Sequence, residues 1–158
     1  VQEMEAAASS LGAGNATFAD PYGLSPQNAA TARDMALIAA KIFVDPRLLP
    51  AWACTERTLQ ITGRQPRTVA LKTSLEILGE ATVIGAKTGS HMSKRIFNLV
   101  TAWRAPNGQT IVGVVLGAKT NAARYGEMRS LIDAVSRDFP DLGKSAITPK
   151  HTRPDTCD

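Results

Sequence analysis

Two apolar runs separated by a turn constrain this chain more than any other part of its 158 residues. Ile96-Phe-Asn-Leu-Val-Thr-Ala-Trp103 and Thr110-Ile-Val-Gly-Val-Val-Leu116 are rich in β-branched and aromatic residues. Pro106-Asn107-Gly108 lies between them and offers a ready positive-φ position, so the pair predicts a hairpin. With the segment before it, 83–90, 95–104 and 110–118 are predicted as consecutive antiparallel strands, Gly117 ending the last. From Asn121, taken as a cap, Met128, Leu131, Ile132 and Val135 recur at helical spacing. They predict a closing helix to about Phe139, packed on one sheet face.

Upstream the signals are helical. Residues 2–11 are helix formers and Gly12 stands where that helix would stop. Gly14-Asn-Ala-Thr17 and Asp20-Pro-Tyr-Gly23 read as a turn-rich loop. Thr31 or Asn28 is suited to cap a second helix running to about Val44, with Met35, Ile38, Ala39 and Ile42 on one face. Asp45-Pro46 predicts a cap and first-turn proline for a short helix containing Trp52. The polar stretch 56–70 is expected as a loop or short hairpin, and 71–78 as a helical turn. The segment from Gly143 onward, with two prolines and mixed charge, reads as a linker or frayed tail (143–158) after a domain over 1–142.

Composition removes several classes. A chain with 44% hydrophobic and 20% charged residues can bury a core and is not disordered. Its net charge of +4 comes from scattered basic residues with no aromatic alternation, which argues against nucleic acid and suits a small anionic ligand. No apolar run is long enough to span a bilayer, and Val1-Gln-Glu-Met-Glu opens a helix rather than a signal peptide. A start in mid-helix without Met leads us to expect further N-terminal sequence. Cys54 and Cys157 have no metal-ligand spacing, so no metal or cofactor is expected. A buried Cys54 with an exposed Cys157 is the favoured reading, a disulfide the alternative.

Lys87-Thr88-Gly89-Ser90 lies at the head of the strand set. A Lys-Thr-Gly in that place is the third signature of the penicillin-binding serine acyltransferases. Further blocks stand around it: Phe18-Ala-Asp-Pro-Tyr-Gly-Leu24, Thr31-Ala-Arg-Asp-Met-Ala36, Phe97-Asn-Leu-Val100 and Val114-Val-Leu-Gly-Ala118. In this order the five blocks closely resemble the D-alanyl-D-alanine carboxypeptidases, the low-molecular-mass penicillin-binding proteins, over about residues 5–138. The resemblance implies an α+β fold, an antiparallel sheet with flanking helices, of the β-lactamase and penicillin-binding transpeptidase-like kind. It also implies a periplasmic or otherwise extracytoplasmic site of action on peptidoglycan.

The family reaction is serine attack on the amide between two terminal D-alanines of a stem peptide, then release of the ester by water. That needs a nucleophile with a base, an oxyanion hole and a binder for the terminal carboxylate. By resemblance, Lys87 supplies the cation that attracts the carboxylate and polarises the serine-lysine pair. Thr88 hydrogen-bonds the carboxylate; alternation places its hydroxyl on the opposite strand face from Lys87 unless the strand is an edge with local twist. Gly89 lets substrate backbone approach, and the Ser90 N–H matches the strand donor of the oxyanion hole. An extended peptide would add along this edge as a further strand. The nucleophile is missing: no Ser-x-x-Lys, Ser-x-Asn or Ser-Asp-Asn occurs in the chain. By resemblance both belong before Val1, so this chain reads as the second half of the domain.

Departures are local. His91-Met92-Ser93-Lys94-Arg95 replaces the small, glycine-containing stretch usual after the triplet, adding bulk and charge beside the site. His91 itself reads as a loop residue rather than a catalyst. In the Phe18–Leu24 block, Pro21 and Gly23 are expected to set the backbone, while Phe18, Tyr22 and Leu24 anchor the loop under the site. Arg33 and Asp34 are expected to pair locally or cap, and Trp52 and Trp103 to sit in the core.

Two functions remain open on the sequence. One is a serine-type DD-carboxypeptidase whose first half lies outside this chain, acylated by β-lactams once completed by that half or by a complementing chain. The other is an inactive truncated relative that binds peptidoglycan peptide or a partner protein. A β-lactamase fragment would share Lys-Thr-Gly but lack the Phe18–Leu24 and Thr31–Ala36 blocks. With its natural cover gone, the sheet face carrying Ile96, Val112 and Val114 is expected to drive self-association.

Overall fold

The computed structural model describes residues 1–80, 82–105 and 107–139. The three predicted strands form its centre: β3 (Val83–His91), β4 (Ile96–Arg104) and β5 (Thr110–Ala118), antiparallel in the order β3-β4-β5. The β4–β5 turn closes through Ala105 N–H to the Gln109 carbonyl at 2.9 Å and Gly108 N–H to the Ala105 carbonyl at 2.8 Å. Gly108 takes φ +81°, the conformation for which the turn needs glycine. Pro106 lies outside the described residues, as does the expected tail from 143.

Different helices pack on the two sheet faces, one of which is covered only in part. Leu99 and Trp103 point one way into a cluster with Val115, Tyr125 and Met128, the last two from α4 (Asn121–Asp138). Val100 and Ala102 point the other way, against Ala39 and Phe43 on and just after α2 (Ala32–Ile42), with Trp52 of α3 (Leu49–Ala53) alongside. Two glycines permit this closeness. A Cβ on Gly113 would lie 2.8 Å from Trp103 Cζ3 and 2.9 Å from Met128 Sδ, and one on Gly85 would lie 2.9 Å from Phe43 Cδ1. Trp103 is therefore core as expected, while Trp52 is half-buried at the edge of Phe43.

Elsewhere the boundaries shift. α1 spans Gln2–Ser10, and Gly12 at φ +78° ends it. Thr31 caps α2: its hydroxyl accepts from Asp34 N–H at 3.1 Å, and the Asp34 carboxylate accepts from Thr31 N–H at 3.1 Å. Asn28 serves the preceding loop instead, and α2 stops at Ile42. Asp45 caps a turn rather than α3: Arg47 N–H donates to it at 2.9 Å, and α3 begins at Leu49 with Pro50 in its first turn. Residues 56–72 form a hairpin, β1 (Glu56–Ile61) with β2 (Arg67–Lys72), so residues 71 and 72 are strand and the helical turn narrows to a 3-10 turn at Glu76–Gly79. Thr120, one residue before Asn121, caps α4 by accepting from Ala123 N–H at 3.0 Å. Cys54 is disulfide-bonded, which corrects its reading as a free buried thiol; Cys157 lies outside the described residues.

Candidate functional site

The register sorts the four residues of the Lys-Thr-Gly segment onto two faces. Lys87 stands opposite Val100 and Gly89 opposite Asn98, on the α2 side, whereas Thr88 stands opposite Leu99 and Ser90 opposite Phe97, on the α4 side. β3 is an edge strand of the three-stranded sheet, so its outer backbone is open to an added strand among the described residues. The Lys87 ammonium donates to the carbonyl of Thr88 and lies folded along its own strand.

Three hollows meet along this strand. Lys87, Thr88 and Gly89 line a cleft of about 490 Å³ with Phe18, Asn98 and Leu116. It continues into a groove of about 470 Å³ formed by Gly89–Ser93 with Gly23 and Leu24. Lys87 also borders a small apolar hollow of about 90 Å³ against Met35, Ile38 and Trp52. A cation at the junction of an apolar wall and a polar groove is suited to an extended ligand ending in a carboxylate. Among the described residues no cluster of metal-ligating side chains occurs.

The loop bounding the cleft is built differently from the expectation. Tyr22 is 80% and Leu24 79% exposed, so neither anchors it. The Asp20 carboxylate holds it instead, accepting from the N–H groups of Tyr22 at 2.7 Å, Gly23 at 2.6 Å and Leu24 at 3.3 Å, and from that of Ser25. Burial raises the Asp20 pKa, but the N–H donors of Ser25, Leu24, Tyr22 and Gly23 together leave it below the ordinary carboxylate value. Asn28 accepts from Ala19 N–H at 2.7 Å, and a bridge between Thr17 and Ala29 closes the loop's base. Phe18 does pack, against the small α1–α2 cluster.

Two polar residues of the site were not singled out by sequence. Arg124, on the first turn of α4 and only 5% exposed, donates to Ser90 Oγ at 2.8 Å and to the Asn98 carbonyl at 3.4 Å. Its guanidinium lies 5.1 Å from the Tyr125 ring centroid and 5.7 Å from that of Phe97. Asn98 accepts from Gly117 N–H at 2.8 Å, across the β4–β5 irregularity where Gly117 takes φ +77°. Helix position alone does not distinguish Arg124 from a solvated arginine, and one sequence offers no other signal. His91 meets Ser93 Oγ through Nδ1 at 3.2 Å, within its own turn. Arg33 is exposed and Asp34 fully buried in the cap; the Thr31 hydroxyl, against the opposing effect of burial, holds the Asp34 carboxyl below its ordinary range.

A family model described as D-alanyl-D-alanine carboxypeptidase matches residues 1–120. No curated protein gives a significant match. The chain is similar to the Streptomyces K15 DD-transpeptidase, at 26% identity and a TM-score of 0.75, over 84% of this chain and 52% of that one. It shares its fold with the D-alanyl-D-alanine carboxypeptidase of Mycobacterium tuberculosis, at 23% identity and a TM-score of 0.69, over 84% of this chain and 51% of that one. The chain thus spans about half the length of these solved relatives.

Proposed function

The chain belongs to the D-alanyl-D-alanine carboxypeptidase family, and from that premise we propose that it forms the substrate-binding wall of a serine-type DD-carboxypeptidase acting on peptidoglycan outside the cytoplasm. The observation that carries this reading is the placement of Lys87, Thr88, Gly89 and Ser90 on an open edge strand that lines a continuous cleft. A stem peptide ending in D-Ala-D-Ala adds to β3, its terminal carboxylate drawn to Lys87 and hydrogen-bonded by Thr88. The scissile carbonyl oxygen meets the Ser90 N–H, one donor of an oxyanion hole. A serine from outside these 158 residues attacks the carbonyl carbon, its proton passing to a neighbouring lysine. The terminal D-alanine leaves as its amine, and water then cleaves the acyl ester. β-Lactams acylate the same serine.

Reconstitution tests this. Combined with an N-terminal segment carrying Ser-x-x-Lys and Ser-x-Asn, the chain is expected to release D-alanine and to be labelled by fluorescent penicillin. Lys87→Ala in that assembly is expected to lower acylation about 10²-fold or more, the scale of one preorganised electrostatic contact. Thr88→Val is expected to raise KM for peptides with a free terminal carboxylate. An unimpaired Lys87→Ala assembly overturns the site. Peptide binding with no labelling in any assembly would favour instead a relative that binds the peptide without acylation.

A further inference from the structure

Between Glu80 and Glu127 the chain carries no Asp or Glu, while Lys87, Lys94, Arg95, Arg104, Lys119 and Arg124 all fall in that stretch. The register gathers three of these cations at one end of the sheet. His91 stands opposite Ile96 and Phe97 opposite Ala118, so Lys94, Arg95 and Lys119 share the end at which β3 finishes. All three are exposed and make no ion pair among the described residues. Two acids of other elements, Asp20 and Glu76, are hydrogen-bonded elsewhere. Asp20 is wrapped by its own loop's N–H groups, and Glu76 accepts from Asn121 at 3.5 Å. Arg95 also takes φ +51° and is the one non-glycine residue with positive φ among the described residues. A guanidinium is thus held where glycine would sit without strain.

What this charge faces follows from the DD-carboxypeptidase reading, on which this inference rests. A peptide added antiparallel to β3, with its scissile carbonyl at the Ser90 N–H and its carboxylate toward Lys87, runs upstream past Ser90 toward the turn. At about 3.3 Å per residue, the residue before the D-Ala-D-Ala pair comes level with His91 and Met92, in the groove of about 470 Å³. We propose that Lys94 and Arg95, on the turn that leaves β3, form a second anion-binding element that selects stem peptides whose residue before D-Ala-D-Ala carries a free carboxylate. Amidated peptides, or peptides with lysine there, lose this attraction. The charge-charge attraction is of short range, screened over a Debye length of about 10 Å at 0.1 M salt, so it acts on the residue that enters the groove.

Three probes titrated into this chain test the proposal: stem pentapeptides ending in D-Ala-D-Ala whose third residue is a diaminodicarboxylate, the same residue amidated, or lysine. At low salt the free acid is expected to bind about five-fold more tightly than its amide, the scale of exposed charge pairs. The preference is expected to vanish in Lys94→Ser/Arg95→Gly and in high salt. Arg95→Gly relieves the backbone, so this variant keeps its fold. Lys87→Ala is expected to weaken all three probes and leave their ratio intact. Equal binding of acid and amide, or a preference that survives the double substitution, overturns the second anion element alone. Failure of every probe to bind, or indifference of all three to Lys87→Ala, overturns the β3 site and this inference with it.

Discussion

At the residue scale, close packing and charge place single side chains under separate tests. Gly113 sits where a methyl group has no room against Trp103, Met128 and Leu131, the last at 3.0 Å from an ideal Cβ. Gly113→Ala should cost about 1–3 kcal/mol by overpacking, read as a lower urea midpoint with unchanged slope. Gly117 makes a contrast: nothing lies within 4 Å of its Cβ position, so Gly117→Ala meets only the strain of φ +77° and should cost about 1–2 kcal/mol. A Gly113→Ala midpoint equal to that of the unsubstituted chain would contradict the packing argument. Arg124 acts on Ser90 through its 2.8 Å hydrogen bond. Arg124→Met keeps most of the stem against Tyr125 and removes that bond. Stability and peptide affinity should both fall in Arg124→Met, whereas Lys94→Ser/Arg95→Gly should not lower stability, which separates the buried arginine from the exposed pair.

At the scale of elements, three local carboxylates set the acid response. Asp20 organises its loop, Asp34 caps α2, and Asp45, hydrogen-bonded by Arg47, is held down to about 2 from an ordinary 3.8. All three are lowered in the folded chain, so their stabilisation is complete above about pH 5 and is lost as pH falls through the folded values. The urea midpoint should therefore hold from about pH 7 to 5 and decline steadily toward pH 2; a midpoint flat to pH 3 would contradict these contacts. The same elements show what was legible beforehand. β3, β4 and β5 were read to within a residue at each end, because long alternating runs and a glycine turn leave few alternatives. The stretch 56–70 reads equally as loop or short hairpin, since the strands of β1–β2 bury almost nothing and carry no apolar face of their own in the core. Caps moved by one residue at α4, where Thr120 and Asn121 are equally suited. The four residues of the Lys-Thr-Gly segment were found by motif, but Arg124 and Asn98 join them only through register and helix packing. Those are tertiary facts.

At the scale of the whole molecule, the sheet face on the α2 side is half covered. Near one end Val112 and Val114 pack against Ala39 and Phe43, so they are partly buried rather than open as expected. Toward the other end Ile96 and Leu116 line the large cleft, with Leu116 39% exposed, and the apolar hollow beside Lys87 stays open to solvent. Tyr22, Leu24 and Met92 add exposed apolar surface around the groove. Exposed apolar surface around one cleft favours association with a covering surface. The 158-residue chain should then bind a hydrophobic dye and associate reversibly with itself at micromolar concentration, read by light scattering coupled to size exclusion. Leu116→Lys, on the rim rather than in the core, should shift it toward monomer and lower dye binding without lowering the urea midpoint. Because apolar burial drives the association, moderate salt should not dissolve it, in contrast to the salt-sensitive preference assigned to Lys94 and Arg95. A monodisperse monomer that binds no dye would show that the cleft is closed in solution, and would remove the argument that this face awaits a covering segment.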